Sequence, residues 1–255
     1  MTINPNDPRS PSRQIADSLR ERISRNELAP GAALPSEREL VAEFGTAPQT
    51  ARQAVALLKA EGLVVGVRGK GVFVREKPPI IRVGSDRVAR HHRDSGKAAF
   101  QAEVEAAGLQ WRQEMLEMAD VPAPAWVAEW FGIEAGATVF VRRRRTWIEN
   151  YPTQLADSYF QLHTVEGTAI REENTGPGGS YKRLEEKGYR LTKFREEIEA
   201  RMPTPDESSA LRLVPGTPVA ELHRIAFVGD DPVEVFRSVM AADRHVFAYE
   251  FPAPE

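Results

Sequence analysis

Leu34-Pro35-Ser36-Glu37-Arg38-Glu39-Leu40-Val41-Ala42-Glu43-Phe44-Gly45 opens with a complete helix-start signal and closes on a glycine. Ser36 is placed to cap a helix and Glu39, three residues on, to return the bond, the reciprocal arrangement of a capping box. The short helix is expected to turn Leu40, Val41 and Phe44 inward and to stop at Gly45. A second helix is expected from Pro48, a residue suited to a first helical turn. It runs through Gln49-Thr50-Ala51-Arg52-Gln53-Ala54-Val55-Ala56-Leu57-Leu58 to Glu61, where Gly62 ends it. Ala51, Val55 and Leu58 form its expected buried side, while Gln49, Arg52 and Gln53 project from the other. Two short helices joined by a tight turn are the helix-turn-helix pattern.

The flanks extend this unit. Upstream, Ile15, Leu19 and Ile23 recur every fourth residue between Ser12 and Asn26, one stripe of an amphipathic helix, and Leu28-Ala29-Pro30-Gly31 breaks it. Downstream the period changes to two. Leu63-Val64-Val65-Gly66-Val67 and Gly71-Val72-Phe73-Val74 flank Arg68-Gly69-Lys70, which reads as a hairpin with a basic tip. A cationic tip with little side-chain bulk can approach a phosphate backbone or a minor groove closely. The hairpin is the wing of a winged helix-turn-helix.

The run LPSERELVAEFG, then TARQAVALLKAEGLV, then GKGVFV resembles the DNA-binding domain of the GntR family of regulators, in order and spacing over roughly residues 12–75. The resemblance implies that Arg38, Thr50, Arg52 and Gly71 contact DNA. Family members usually place Ser-Arg just before the recognition helix; Ala47-Pro48 stands there in this chain, so one customary reading arginine is absent. Gln49 is taken as an added reader, and an altered operator is expected. Ser36 is first a helix cap, and at a DNA-facing helix start it can also touch phosphate. Lys70 joins the set at the wing tip. Arg38, Arg52 or Lys70 alone would read as a solvated surface residue; the joint occurrence of these residues in this frame points to double-stranded DNA.

Composition is compatible with that reading. The chain has 255 residues, 41% hydrophobic and 28% charged, which argues against wholesale disorder. It contains no cysteine, which excludes a disulfide framework, thiolate metal sites and a thiol nucleophile. No stretch approaches the roughly 20 apolar residues of a membrane span, and the first residues lack an apolar targeting segment; a cytoplasmic location is expected. Residues 1–77 carry a net +3 and the remainder a net −6, a mildly basic head on an acidic body. The expected division is a winged helix-turn-helix at 1–77, a linker at 78–97 marked by Pro78-Pro79, and a second domain at 98–255.

That second domain reads as mixed α and β. Helices are expected at 97–107, 124–131, 181–187 and 205–211; strands are expected at 111–121, 138–148, 153–160, 191–201, 218–228 and 232–241. Helices interspersed with hairpins give an α+β domain with an antiparallel sheet. No nucleotide-loop, serine-hydrolase or zincin motif occurs, and no cofactor is expected. His91-His92 are adjacent, so they do not face one site, and no third ligand lies at zinc spacing; no metal is expected. Val139-Phe140-Val141-Arg142-Arg143-Arg144-Arg145, Gln154-Leu155-Ala156-Asp157-Ser158-Tyr159, Gly178-Gly179-Ser180-Tyr181-Lys182-Arg183-Leu184, Leu213-Val214-Pro215-Gly216-Thr217-Pro218-Val219 and Pro232-Val233-Glu234-Val235 together resemble the UTRA effector-binding domain of the HutC-type branch of the GntR family.

UTRA domains share the chorismate lyase fold, bind varied small molecules and often dimerise. On a strand, Arg143 and Arg145 share one face and Arg142 and Arg144 the other. The resemblance places Arg143 and Arg145 toward the ligand cleft, where a guanidinium fork suits a carboxylate or phosphate. It also places Tyr181 against the ligand. Asp157 and Glu234, on hairpin strands, are candidates to bind hydroxyl or amine groups.

The function expected is a homodimeric, sequence-specific regulator, a repressor whose operator affinity is set by a small-molecule effector with an anionic group. Two alternatives stand beside it: a regulator whose C-terminal half only dimerises, and a lyase-like enzyme, for which no paired acid and base appears at a recognisable spacing.

Overall fold

In the computed structural model, residues 3–67, 69–76, 104 and 108–250 are described in full and residues 81–83 through their backbone. The helix expected at 97–107, residue 104 apart, lies outside the described residues, as do His91-His92 and Arg68. The chain divides into one unit of Met1–Pro78 with Val214–Thr217 and a second of Pro79–Leu213 with Pro218–Glu255.

The first unit has three helices, α1 (Pro11–Ser24), α2 (Glu37–Phe44) and α3 (Pro48–Ala60), followed by an antiparallel hairpin of β1 (Val64–Val67) and β2 (Gly71–Val74). The capping box forms as read: the Glu39 N–H donates to Ser36 Oγ at 3.3 Å and the Ser36 N–H to Glu39 Oε2 at 2.7 Å. Gly45 ends α2 at φ 60°, in the left-handed region that favours glycine, and its N–H returns to the Val41 carbonyl. Ile15, Ala16 and Leu19 meet Leu40 and Phe44, Ala51, Ala54 and Leu58, and Val64 and Val74 in one core. α3 buries Ala54 where the sequence pointed to Val55, which is only partly covered. Residues 51, 54 and 58 lie on one line at three- and four-residue spacing. Before α2, Ala33 bridges to Phe73 and the Leu34 N–H donates to the Val72 carbonyl at 2.8 Å. The chain therefore adds a short third edge to the wing.

The second unit is built on a six-stranded sheet, every neighbouring pair antiparallel, in the order β4 (Trp111–Pro122), β5 (Thr138–Ile148), β6 (Tyr151–Gln161), β9 (Asp231–Ala241), β8 (Val219–Val228), β7 (Lys193–Arg201). The α+β reading with an antiparallel sheet is borne out. Helices cover both faces. On one face α5 (Leu162–Val165) and α6 (Gly179–Glu186) accompany a core of Phe140, Phe160, Val165, Ile170, Leu184, Leu191 and Ala226. On the other, α4 (Ala125–Phe131) packs Val127, Ala128 and Phe131 onto Val139, Val141, Tyr159 and Val235. Near α7 (Pro205–Ala210), that second face also buries Leu211, Val219 and Val239. Within the stretch read as linker, β3 (Ile81–Val83) pairs in parallel with β10 (Val246–Ala248). Phe247 of β10 packs on Ala156, Leu222, Phe236 and Met240, at the other end of the face that carries α6.

Candidate functional site

The residues singled out in the first unit stand on its surface. Ser36 and Arg38 are exposed at the start of α2, Gln49 and Arg52 are exposed on α3, and Thr50 is half-buried between them. Lys70 and Gly71 are exposed where the hairpin turns, Gly71 at φ 118°. Ala47 gives α3 no side-chain cap, and Pro48 holds its first turn. One ion pair links the two helices: Glu37 Oε2 accepts from Arg52 Nε at 2.9 Å, and Arg52 Nη2 lies 2.8 Å from Glu37 Oε1. The guanidinium of α3 is thereby tied to the first turn of α2.

In the second unit, ladder register decides which side chains meet. Residues opposite one another across an antiparallel pair share a face, and neighbours along a strand do not. Arg142 lies opposite Ser158, which lies opposite Phe236, then Arg224, then Glu196. Arg144 lies one step along β5 on the same face. Glu234 lies one step the other way along β9, beside Ala226.

These residues form a polar band between the apolar cluster under α6 and the cluster under β10. Arg142 is an anchor. It is only 2% exposed and donates to the carbonyls of Ile170, Glu172 and Glu173. Burial, with the charge of Arg144 adding to it, brings its pKa down to about 10. Arg144 donates from Nη2 to the Ser158 hydroxyl at 2.5 Å, and its buried Nε has no partner among the described residues.

Burial also lowers the Arg144 pKa, opposed by Glu234 and Tyr181. The Tyr181 hydroxyl is pushed upward by burial and then by Glu234, against the opposing pull of Arg224. Burial works against the charge of Arg224, but Tyr181 and Glu196 outweigh it and its pKa is raised. Glu196 also accepts from the Tyr249 hydroxyl at 2.8 Å. Glu234 is 3% exposed with Oε2 unpartnered among the described residues. Arg142, Arg144 and Arg224 thus share a partly buried strip with Glu196 and Glu234, and Glu173 adds its charge beside Arg142.

The opposite face carries a different row. Glu117, Arg143, Asp157, Arg237 and His223 lie opposite one another across five strands. Arg143 bonds Glu117 at 2.5 Å and lies 3.9 Å from Asp157. Arg145 bonds Glu114, with Oε1 and Oε2 at 3.0 and 2.8 Å, and lies with Arg112 and Arg212 around the Trp147 ring. Arg237 and Arg201 share Glu207 and Glu221 between them, and the His223 ring stacks on Trp126 at 4.9 Å. Asp157 is pushed upward by burial against the pull of Arg143 and Arg237. Charges in this row alternate and pair with one another.

The five C-terminal candidates thus do not share a site. Tyr181 and Glu234 come together, and Arg143, Arg145 and Asp157 lie behind the sheet. The expectation that Arg143 and Arg145 join Tyr181 is corrected by the register of β5: Arg144 and Arg142 occupy that face.

Two family models divide the chain. One, for bacterial regulatory proteins of the gntR family, matches residues 11–74, and the other, for the UTRA domain, matches residues 106–246. The chain belongs to the GntR family. This UTRA-bearing GntR regulator is a DNA-binding transcription factor and not an enzyme. An uncharacterised HTH-type transcriptional regulator of Streptomyces coelicolor is 36% identical to it over 97% of this chain and 95% of its own. The mannosyl-D-glycerate transport/metabolism system repressor MngR of Escherichia coli is 27% identical over 92% and 93% of the two chains. A crystal structure of a chain assigned to the GntR family is 27% identical, with a TM-score of 0.67 over 96% of this chain and 99% of its own.

In the GntR regulator, sequence reasoning missed Arg144, Ser158, Arg224 and Glu196. Arg224 had a weak signal, an arginine directly before the apolar run Ile225 to Val228. The parity of the arginine run had none nearby. Val139, Phe140 and Val141 are apolar on both sides of β5, so alternation along the strand does not label its faces. Among the described residues no group of three His, Asp or Glu side chains is arranged to hold a metal.

Proposed function

We propose that the regulator is an effector-controlled repressor. A homodimer binds a roughly palindromic operator, with α3 of each protomer in a major groove and half-sites about one helical turn or a multiple apart. Arg38, Gln49, Thr50 and Arg52 read or position on the groove, Ser36 meets phosphate at the start of α2, and Lys70 and Gly71 bring the wing to the backbone. The effector is a small anion held at Arg144, Ser158, Tyr181, Arg224 and Glu234. The observation that carries this reading is Arg144: a half-buried cation whose own hydrogen bond goes to a hydroxyl and not to a carboxylate. An anionic group there supplies the missing counter-charge. The name of the relative MngR, a repressor, favours the direction of control. A cytoplasmic location follows from work on DNA.

Full-length protein titrated with its own upstream DNA tests the first half. Binding should be sequence-selective and weaken steeply with salt; indifference to sequence would overturn it. A thermal-shift screen of small anions tests the second half. A true effector raises the melting temperature with concentration and lowers operator affinity, by about 1–3 kcal/mol of coupling.

A further inference from the structure

α3 carries a single arginine, Arg52, over Pro48–Ala60, so arginine-based discrimination by this helix falls on one side chain. A long, exposed arginine has many rotamers to surrender before it meets a base edge. Here it is held in advance. The Glu37 carboxylate engages the edge formed by Nε and Nη2, at 2.9 and 2.8 Å. That fork-to-fork pairing leaves the Nη1–Nη2 edge open, and two donors on one edge are what guanine O6 and N7 accept. Glu37 sits between Ser36 and Arg38, at the helix start assigned to the DNA surface. An acidic side chain there opposes phosphate, and pairing with Arg52 neutralises it while fixing the guanidinium plane.

We propose that Glu37 is a positioning residue for base recognition: it orients Arg52 and so sets how sharply the regulator distinguishes guanine at one position of each half-site. The proposal rests on the reading of Arg52 as a base reader.

The test is selection of full-length protein, wild type and variants, on a pool of random-sequence duplexes, followed by competition titrations on the selected site and its single-base variants. Arg52→Ala should flatten one position of the preference, a loss of about 5- to 100-fold. Glu37→Ala should flatten that same position by at least about 3-fold while affinity for unselected DNA holds or rises, because a negative charge has left the surface. Glu37→Gln should retain part of the preference, since an amide oxygen can still accept from Arg52. The double variant should lose no more than Arg52→Ala does alone. Melting temperatures of the Glu37 variants, measured in parallel, should stay near wild type, because the pair is solvent-exposed. If Arg52→Ala leaves the preference intact, the reading of Arg52 itself fails. If Arg52→Ala flattens it and Glu37→Ala does not, the positioning role alone fails. A Glu37→Ala protein with sharper preference would show that the carboxylate competes with DNA for Arg52, and would equally overturn the proposal.

Discussion

Arg142 and Arg144 share a face yet do different work. Arg142 spends its guanidinium on three backbone carbonyls of one connection, and removing it takes the donor from all three, that of Ile170 in a buried place. Arg142→Met is expected to cost about 2–4 kcal/mol, read as a lower urea midpoint with an unchanged slope. Arg144 has no such structural debt. Arg144→Gln should leave the urea midpoint near wild type and abolish the thermal shift given by the effector, whereas Arg143→Gln, on the opposite face, should keep that shift. The residue types at this strip were legible in the sequence: an arginine run, a tyrosine after glycines and a strand glutamate. Their pairing was not, because a one-residue change of parity moves a side chain through the sheet.

At the level of elements, α2 was readable to the residue because its ends are signalled locally. Ser36→Ala should remove about 1 kcal/mol, and Gly45→Ala about 1 kcal/mol. Nothing lies within 4 Å of a Cβ at Gly45, so the second cost comes from backbone conformation. Chemical denaturation of each variant checks both. β5 to β9 and α7 are joined by a network whose register only the fold reveals. Arg201 and Arg237 hold Glu207 at about 2, below its ordinary 4.5. Burial pushes Glu221 up, but bonds from Arg237, His223 and Arg201 outweigh it and bring it to about 2. Since both folded values lie below the unfolded ones, this stabilisation is complete above about pH 4.5 and is lost as pH falls toward 2. Replacing both carboxylates by glutamine should lower stability at neutral pH and flatten its decline over that window, which melting curves taken from pH 6 to pH 2.5 will read.

Across the whole molecule, the division into a winged unit and an α+β unit was legible because the hydrophobic period changes from helical to alternating, then to a mixture of both. β3 and β10 were not, being three residues each with no pattern of their own. Their pairing joins stretches more than 160 residues apart in sequence, Ile81 to Val246. A parallel ladder of this kind has no turn to hold it together, so its grip comes from Phe247 seated on the sheet. The chain is therefore fastened like a belt, its far end buckled to the stretch where it leaves the winged unit. Trimming the chain ahead of residue 246 would undo the buckle at residue 81.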